Sequence, residues 1–226
     1  AADLDDDGDE DYIMGNMGLN YKYKASPDEP FCINYADFDL NGKNDIVMSY
    51  FNSGVQYPVK DLAYSSQQIP GLARKFPTFH EFASHSLKDI YGEDQLKNSL
   101  EYKVEMFQSI CLENLGNGEF TIHELPMQAQ ISPVNGIIVE DVDKDGILDL
   151  IIAGNLYGTE IEVPRIDAGV GLFLKGTGKC NFQPVPMYKS GLSLPYDVKD
   201  IKTIKLKDGT GLLVGVNSGP LVIVKF

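Results

Sequence analysis

A nine-residue pattern, Asp-x-Asp-x-[Asp/Asn]-Gly-x-x-Asp, occurs three times in this chain of 226 residues and limits its folds more than any other feature. The cleanest copy lies in E-D-V-D-K-D-G-I-L-D-L-I-I-A-G-N, residues 140–155, with carboxylates at Asp141, Asp143, Asp145 and Asp149. The others are Asp3, Asp5, Asp7, Asp11, with Gly8, and Asp37, Asp39, Asn41, Asp45, with Gly42. Oxygens therefore fall at loop positions 1, 3, 5 and 9, and position 7 offers a backbone carbonyl, as at Ile147. A hard cation such as Ca²⁺ takes six to eight oxygens at short range, and such a loop supplies most of them. Three copies of one pattern are not chance.

An EF-hand is excluded. Its loop needs a bidentate Glu at position 12 followed by a helix, whereas position 12 here is Met14, Met48 or Ile152. The residues after each loop, Tyr-Ile-Met, Ile-Val-Met and Leu-Ile-Ile, are apolar and β-prone. The sequence predicts calcium hairpins of the strand–loop–strand kind.

These loops, each followed by an apolar strand, resemble the FG-GAP/VCBS repeat of integrin α-like β-propellers and of many secreted bacterial proteins. Such a repeat has a second hairpin with a Gly-x-Gly-x-Phe turn, matched by Gly116 to Phe120 and more loosely by Gly176 to Phe182. The resemblance covers most of the chain outside roughly 56–105. It implies an all-β fold of propeller blades, each of four antiparallel strands. Strands are expected at 12–15, 31–36, 46–51, 107–114, 120–125, 136–140, 149–154, 171–175 and 181–185, with three more in 198–226. That makes about three and a half blades, the C-terminal part of a larger propeller or an arc that meets another copy of itself. The chain opens on a calcium loop with only Ala1 and Ala2 ahead of it, as if cut from a longer protein. In the last repeat, aligning Asp208-Gly209 with the motif puts Ile204, Leu206 and Leu212 at positions 1, 3 and 9, so the strands stay and the metal is lost.

Residues 53–105 interrupt the pattern as an insertion between blade strands. Pro58, Pro70 and Pro77 precede helical spacing at 78–91 and 93–102, with Phe79, Phe82, Leu87, Ile90 and Tyr91 as its apolar stripe. A second irregular loop spans 156–168. If both leave their blades between strands 2 and 3, they share the face away from the calcium loops, the face that integrin-like propellers use for partners. Candidate ligand-binding residues there are Tyr50, Tyr57, Tyr157, Glu160 and Arg165, with Phe51, Glu162 and Asp167 nearby.

The formal charge of −14 includes 11 acidic residues at the proposed metal positions. The acidity is therefore metal-site chemistry, and it excludes nucleic acid as a partner. No apolar run is long enough to span a membrane as a helix. Cys32, Cys111 and Cys180 lack metal-ligand spacing and read as buried small hydrophobes beside strands, with one pairing left open. His80, His85 and His123 read as structural or exposed, and no catalytic constellation is visible. The expectation is a non-catalytic, calcium-stabilised module of a secreted, periplasmic or cell-surface protein that binds a protein or glycan. The alternative is a calcium-dependent polysaccharide lyase with Arg165 and Lys60 or Arg74 as its cations.

Overall fold

The computed structural model describes all residues except Ile161, Glu162, Asp208 and Phe226. In chain order its strands are β1 (Tyr12–Met14), β2 (Phe31–Ala36), β3 (Asp45–Asn52), β4 (Val55–Pro58) and β5 (Leu100–Val104). They continue as β6 (Ile110–Asn114), β7 (Phe120–Glu124), β8 (Gly136–Glu140), β9 (Asp149–Ala153), β10 (Leu172–Gly176) and β11 (Phe182–Val185). The last three are β12 (Val198–Leu206), β13 (Gly209–Val216) and β14 (Val222–Lys225). Five short helices, α1 (Leu62–Gln68), α2 (Leu72–Lys75), α3 (Phe79–Ala83), α4 (Leu87–Tyr91) and α5 (Glu93–Lys97), fall between β4 and β5. Among the described residues the strands form four antiparallel sheets, and the fold is mostly β.

The chain divides into two compact units, Ala1–Lys22 with Gln108–Phe226, and Tyr23–Phe107. The larger unit holds three sheets, of order β1-β6-β7, β11-β10-β9-β8 and β12-β13-β14. They stack face on face through two apolar layers. Leu150, Ile152 and Leu174 of the middle sheet pack with Cys111, Leu125 and Cys180 in one layer. Ile138, Ile151 and Ala153 pack with Val198, Ile201, Leu212 and Val214 in the other. Strand β9 is buried along its whole length because a sheet covers each of its faces. Close approach demands glycine beside it: a Cβ on Gly154 would lie 2.1 Å from the Pro133 carbonyl oxygen.

The smaller unit is a sheet of order β4-β3-β2-β5 with the helices laid on it. Phe38 and Val47 pack against Leu62, Ile69, Leu72, Phe76, Phe82, Leu87, Ile90 and Tyr91. Helix starts follow local chemistry, with the Asp61 side chain capping α1, Thr78 capping α3, and a Ser86–Asp89 capping box on α4.

Several expectations need correction. Strands β6 and β7 pair with β1 and not with β2 and β3, so the segment separating the strands of one sheet runs from 15 to 109 and contains the second acidic loop. The reason is a tight turn at Ser53 and Gly54, both at positive φ, which folds β4 onto the edge of β3. Residues 100–104 are strand rather than helix and pair with β2. Phe79 of the expected apolar stripe is 59% exposed, while Phe82 and Leu87 are buried. In the last sheet β12 and β13 pair from Leu206–Gly209 onward, so Ile204 and Leu212 sit inside the strands rather than in a degenerate acidic loop. Asp208 lies outside the described residues. Cys111 and Cys180 form a disulfide with 5.8 Å between Cα atoms, linking the first sheet to the middle one, and Cys32 is free and buried.

Candidate metal centres and the far end of the larger unit

The three acidic loops close on equivalent antiparallel pairs, Ala2–Asp11, Ala36–Asp45 and Glu140–Asp149. Their backbones match. Position 4 is left-handed in each (Asp6 φ 61°, Leu40 φ 59°, Lys144 φ 63°), and position 6 is a glycine at φ 86–95°. That second requirement is why Gly8, Gly42 and Gly146 recur.

The hydrogen bonding repeats as closely. The position 1 carboxylate accepts the amides of positions 5 and 6, at 3.2 and 3.0 Å on Asp3, 2.9 and 2.7 Å on Asp37, and 3.1 and 3.0 Å on Asp141. The position 9 carboxylate accepts the amide of position 2, from Leu4, Phe38 and Val142. In the larger unit its second oxygen takes an amide from the neighbouring strand, Asn114 to Asp11 and Gly176 to Asp149, each at 2.8 Å.

This folding converges three carboxylates per loop: Asp3, Asp5, Asp11; Asp37, Asp39, Asp45; and Asp141, Asp143, Asp149. One oxygen of each lies within 4.8 Å of the others in its trio. At position 5, Asp7, Asn41 and Asp145 each accept the amide of position 7. The position 9 aspartates are buried, Asp11 and Asp149 completely. Burying a carboxylate beside two others is costly unless a cation compensates. Two position 3 oxygens, Asp5 Oδ1 and Asp39 Oδ1, are shielded from solvent with no hydrogen-bond partner. Each trio of hard carboxylate oxygens could in principle hold a metal ion.

Electrostatics distinguish the loops. Burial, then repulsion from Asp7 and Asp11, pushes the Asp5 carboxyl up. Burial also raises Asp45, helped by Asp39 and Asp37. In the third loop Lys175 of β10 bonds Asp143 and lies 2.7 Å from Asp145, which holds Asp145 below its ordinary value and Lys175 above its own. The corresponding place beside the first loop, one residue before the amide that meets the position 9 aspartate, is Glu113, which pairs with His123 at 2.5 Å.

At the end of the larger unit's sheets away from these loops, segment 156–168 is closed by a bridge between Leu156 and Ile166. Arg165 stacks on Tyr157, its guanidinium carbon 3.5 Å from the ring centroid, and pairs with Asp167 at 3.1 Å. The Tyr157 hydroxyl donates to the Pro195 carbonyl at 3.2 Å. The Glu160 carbonyl accepts the Val163 amide at 3.0 Å; Glu162 is outside the described residues. Beside this segment lies a cavity of about 320 Å³, lined by residues 163–168 and by Asn20, Tyr21 and Lys22. Tyr50 and Tyr57 are instead cross-strand partners in the smaller unit, with ring centroids 6.4 Å apart. The five candidate ligand residues thus form two groups in two units. Lys60 and Arg74 likewise lie in the smaller unit and Arg165 in the larger. Sequence reasoning missed a cleft of about 340 Å³ lined by Val134, Ile152, Val170, Leu172, Pro186 and Met187. Its only linear hint was the proline spacing at 184 and 186.

No protein-family model matches the chain, and neither does any curated protein or solved structure at a significant level.

Proposed function

We propose that this chain is a calcium-stabilised binding module whose stacked sheets are blades of a β-propeller of the FG-GAP/VCBS kind. The observation that carries the metal reading is the pair of orphaned, shielded oxygens on Asp5 and Asp39 inside trios that share one loop geometry. Asp3, Asp5 and Asp11, Asp37, Asp39 and Asp45, and Asp141, Asp143 and Asp149 would hold three Ca²⁺, with Asp7, Asn41 and Asp145 adding oxygens if they turn inward. The ion would neutralise buried carboxylates and fix each loop against its strands; its role is structural. A ligand that binds only the folded state adds about 2.7 kcal/mol at a hundred times its Kd. Chelation should therefore lower the melting temperature, and Asp143→Ala should lower it in part.

The binding role rests on the far end of the larger unit, where Tyr157, Arg165 and Lys22 offer an aromatic face and cations beside a cavity, a surface suited to a glycan or an acidic peptide. The disulfide favours an oxidising compartment, extracellular or periplasmic. No helix among the described residues is long and apolar enough to cross a membrane. A glycan and peptide array read with wild type, Tyr157→Ala and Arg165→Ala tests the assignment. Binding that survives both substitutions and is lost only in folded metal-loop variants would place the ligand at the other end.

A further inference from the structure

The three acidic loops share one backbone but not one neighbourhood. In the first two, the position 3 carboxylate keeps an oxygen, Asp5 Oδ1 or Asp39 Oδ1, that is shielded from solvent and has no hydrogen-bond partner. In the third, both oxygens of that carboxylate are engaged. Asp143 Oδ1 accepts the Asp145 amide at 3.3 Å, and Oδ2 accepts the Lys175 ammonium. The same ammonium lies 2.7 Å from Asp145 Oδ2. A side-chain cation is therefore already seated on the carboxylates of this loop.

Lys175 is placed by its strand. The next residue, Gly176, gives its amide to Asp149 Oδ1 at 2.8 Å, the contact that ties the position 9 aspartate to β10. A Cβ on Gly176 would lie 2.1 Å from the Leu148 carbonyl oxygen, so this strand cannot draw back from the loop. Beside the first loop the same contact is made by the Asn114 amide on Asp11 Oδ1, and the residue before it is Glu113. The Glu113 charge is among those that push the Asp5 carboxyl up. Two loops of one unit, clamped alike, thus meet opposite charges.

We propose that Lys175 is a tethered competitor of the metal ion, which makes the Asp141 centre the exchangeable one of the three. An incoming dication displaces the ammonium from Asp143 and Asp145, and removal of the ion lets the ammonium return. This rests on the metal reading above and adds to it which centre answers to calcium concentration. The lysine weakens the site without closing it. Its side chain is 38% exposed, and an ion pair so open to solvent is weak. A dication instead meets three carboxylates, one of them fully buried. Once bound, it repels an ammonium a few ångströms away.

Two measurements on the full chain test this. Calorimetric titration with Ca²⁺ at low salt, its steps assigned with Asp5→Asn, Asp39→Asn and Asp143→Asn, should find the Asp141 centre the weakest, about tenfold or more below the Asp3 centre. Acylation of lysine amines, read by mass spectrometry, should label Lys175 several-fold faster in saturating calcium than in chelator, because the ion frees an amine otherwise held between two carboxylates. The midpoint of that change should match the dissociation constant of the Asp141 centre, and exposed Lys189 should be labelled alike in both conditions. In Asp143→Asn the calcium response of Lys175 should vanish. Equal affinities at the Asp3 and Asp141 centres, or a Lys175 labelled alike with and without calcium, overturn the inference and leave the metal reading standing. A Lys175 response that survives Asp143→Asn also overturns it, since another centre would then be its cause. No calcium uptake at all overturns both.

Discussion

Replacing Cys111 and Cys180 together by alanine should cost the larger unit about 4 kcal/mol. The bond joins residues 69 apart, and the chain-entropy treatment of a closed loop of that length gives this figure near 25 °C. The whole loop, from β6 to the turn after β10, lies within the larger unit, and unit Tyr23–Phe107 is outside it. Both sulfurs sit in the layer between the first and middle sheets, with Cys111 at 0% and Cys180 at 4% exposure. Alanine is small and apolar, so the substitution removes the cross-link without burying a polar group. Chemical denaturation at fixed saturating calcium measures the loss, and hydrogen exchange locates it. Amides of β6 and β10 should exchange faster while those of β2 and β3 keep their protection. The melting temperature of the affected transition should fall by on the order of 10 °C. A loss under about 1 kcal/mol, or one spread equally over both units, would refute the assignment of the bond as the clamp between these sheets.

Lys175→Met should raise calcium affinity at the Asp141 loop roughly tenfold, since a cation a few ångströms from a dication repels it even at the dielectric of water, and the gain should shrink at high salt; calorimetry in two salt concentrations checks both. Leu150→Ala, at a fully buried site between two sheets, should cost about 2–5 kcal/mol in urea unfolding. Asp197 is buried, which alone would raise its carboxyl, but hydrogen bonds from Lys199 and Asn217 and the Lys199 charge outweigh burial and hold it low. Its contribution is therefore present above the ordinary carboxylate pKa near 4 and is lost as pH falls through the lower folded value. Asp197→Asn should be less stable at neutral pH and lose stability less steeply on acidification, as read by melting temperature against pH.

The acidic loops and the middle sheet were legible because their signals are local: aspartate spacing, the position 6 glycine, and the apolar runs 136–140 and 149–154 fix hairpins without long-range information. The pairing of β1 with β6 was not, because it joins strands nearly a hundred residues apart, and nothing in Tyr12–Met14 specifies which later strand it meets. One overlooked local signal would have helped. Ser53-Gly54 between Tyr-Phe-Asn and Val-Gln-Tyr is a two-residue hairpin turn, and it occupies the edge of β3 that the expected pairing required. At position 5 the side chain also has a backbone task, accepting the position 7 amide in each loop. The disulfide depends on the stacking of two sheets, which residue spacing does not encode.

The central claim is that the three aspartate trios are calcium sites. Isothermal titration of chelator-stripped protein with Ca²⁺, followed by the variants Asp5→Asn, Asp39→Asn and Asp143→Asn, tests it most directly. The account predicts three equivalents bound by the wild type and the loss of one with each substitution. No uptake by the wild type, or a stoichiometry unmoved by all three substitutions, would contradict it.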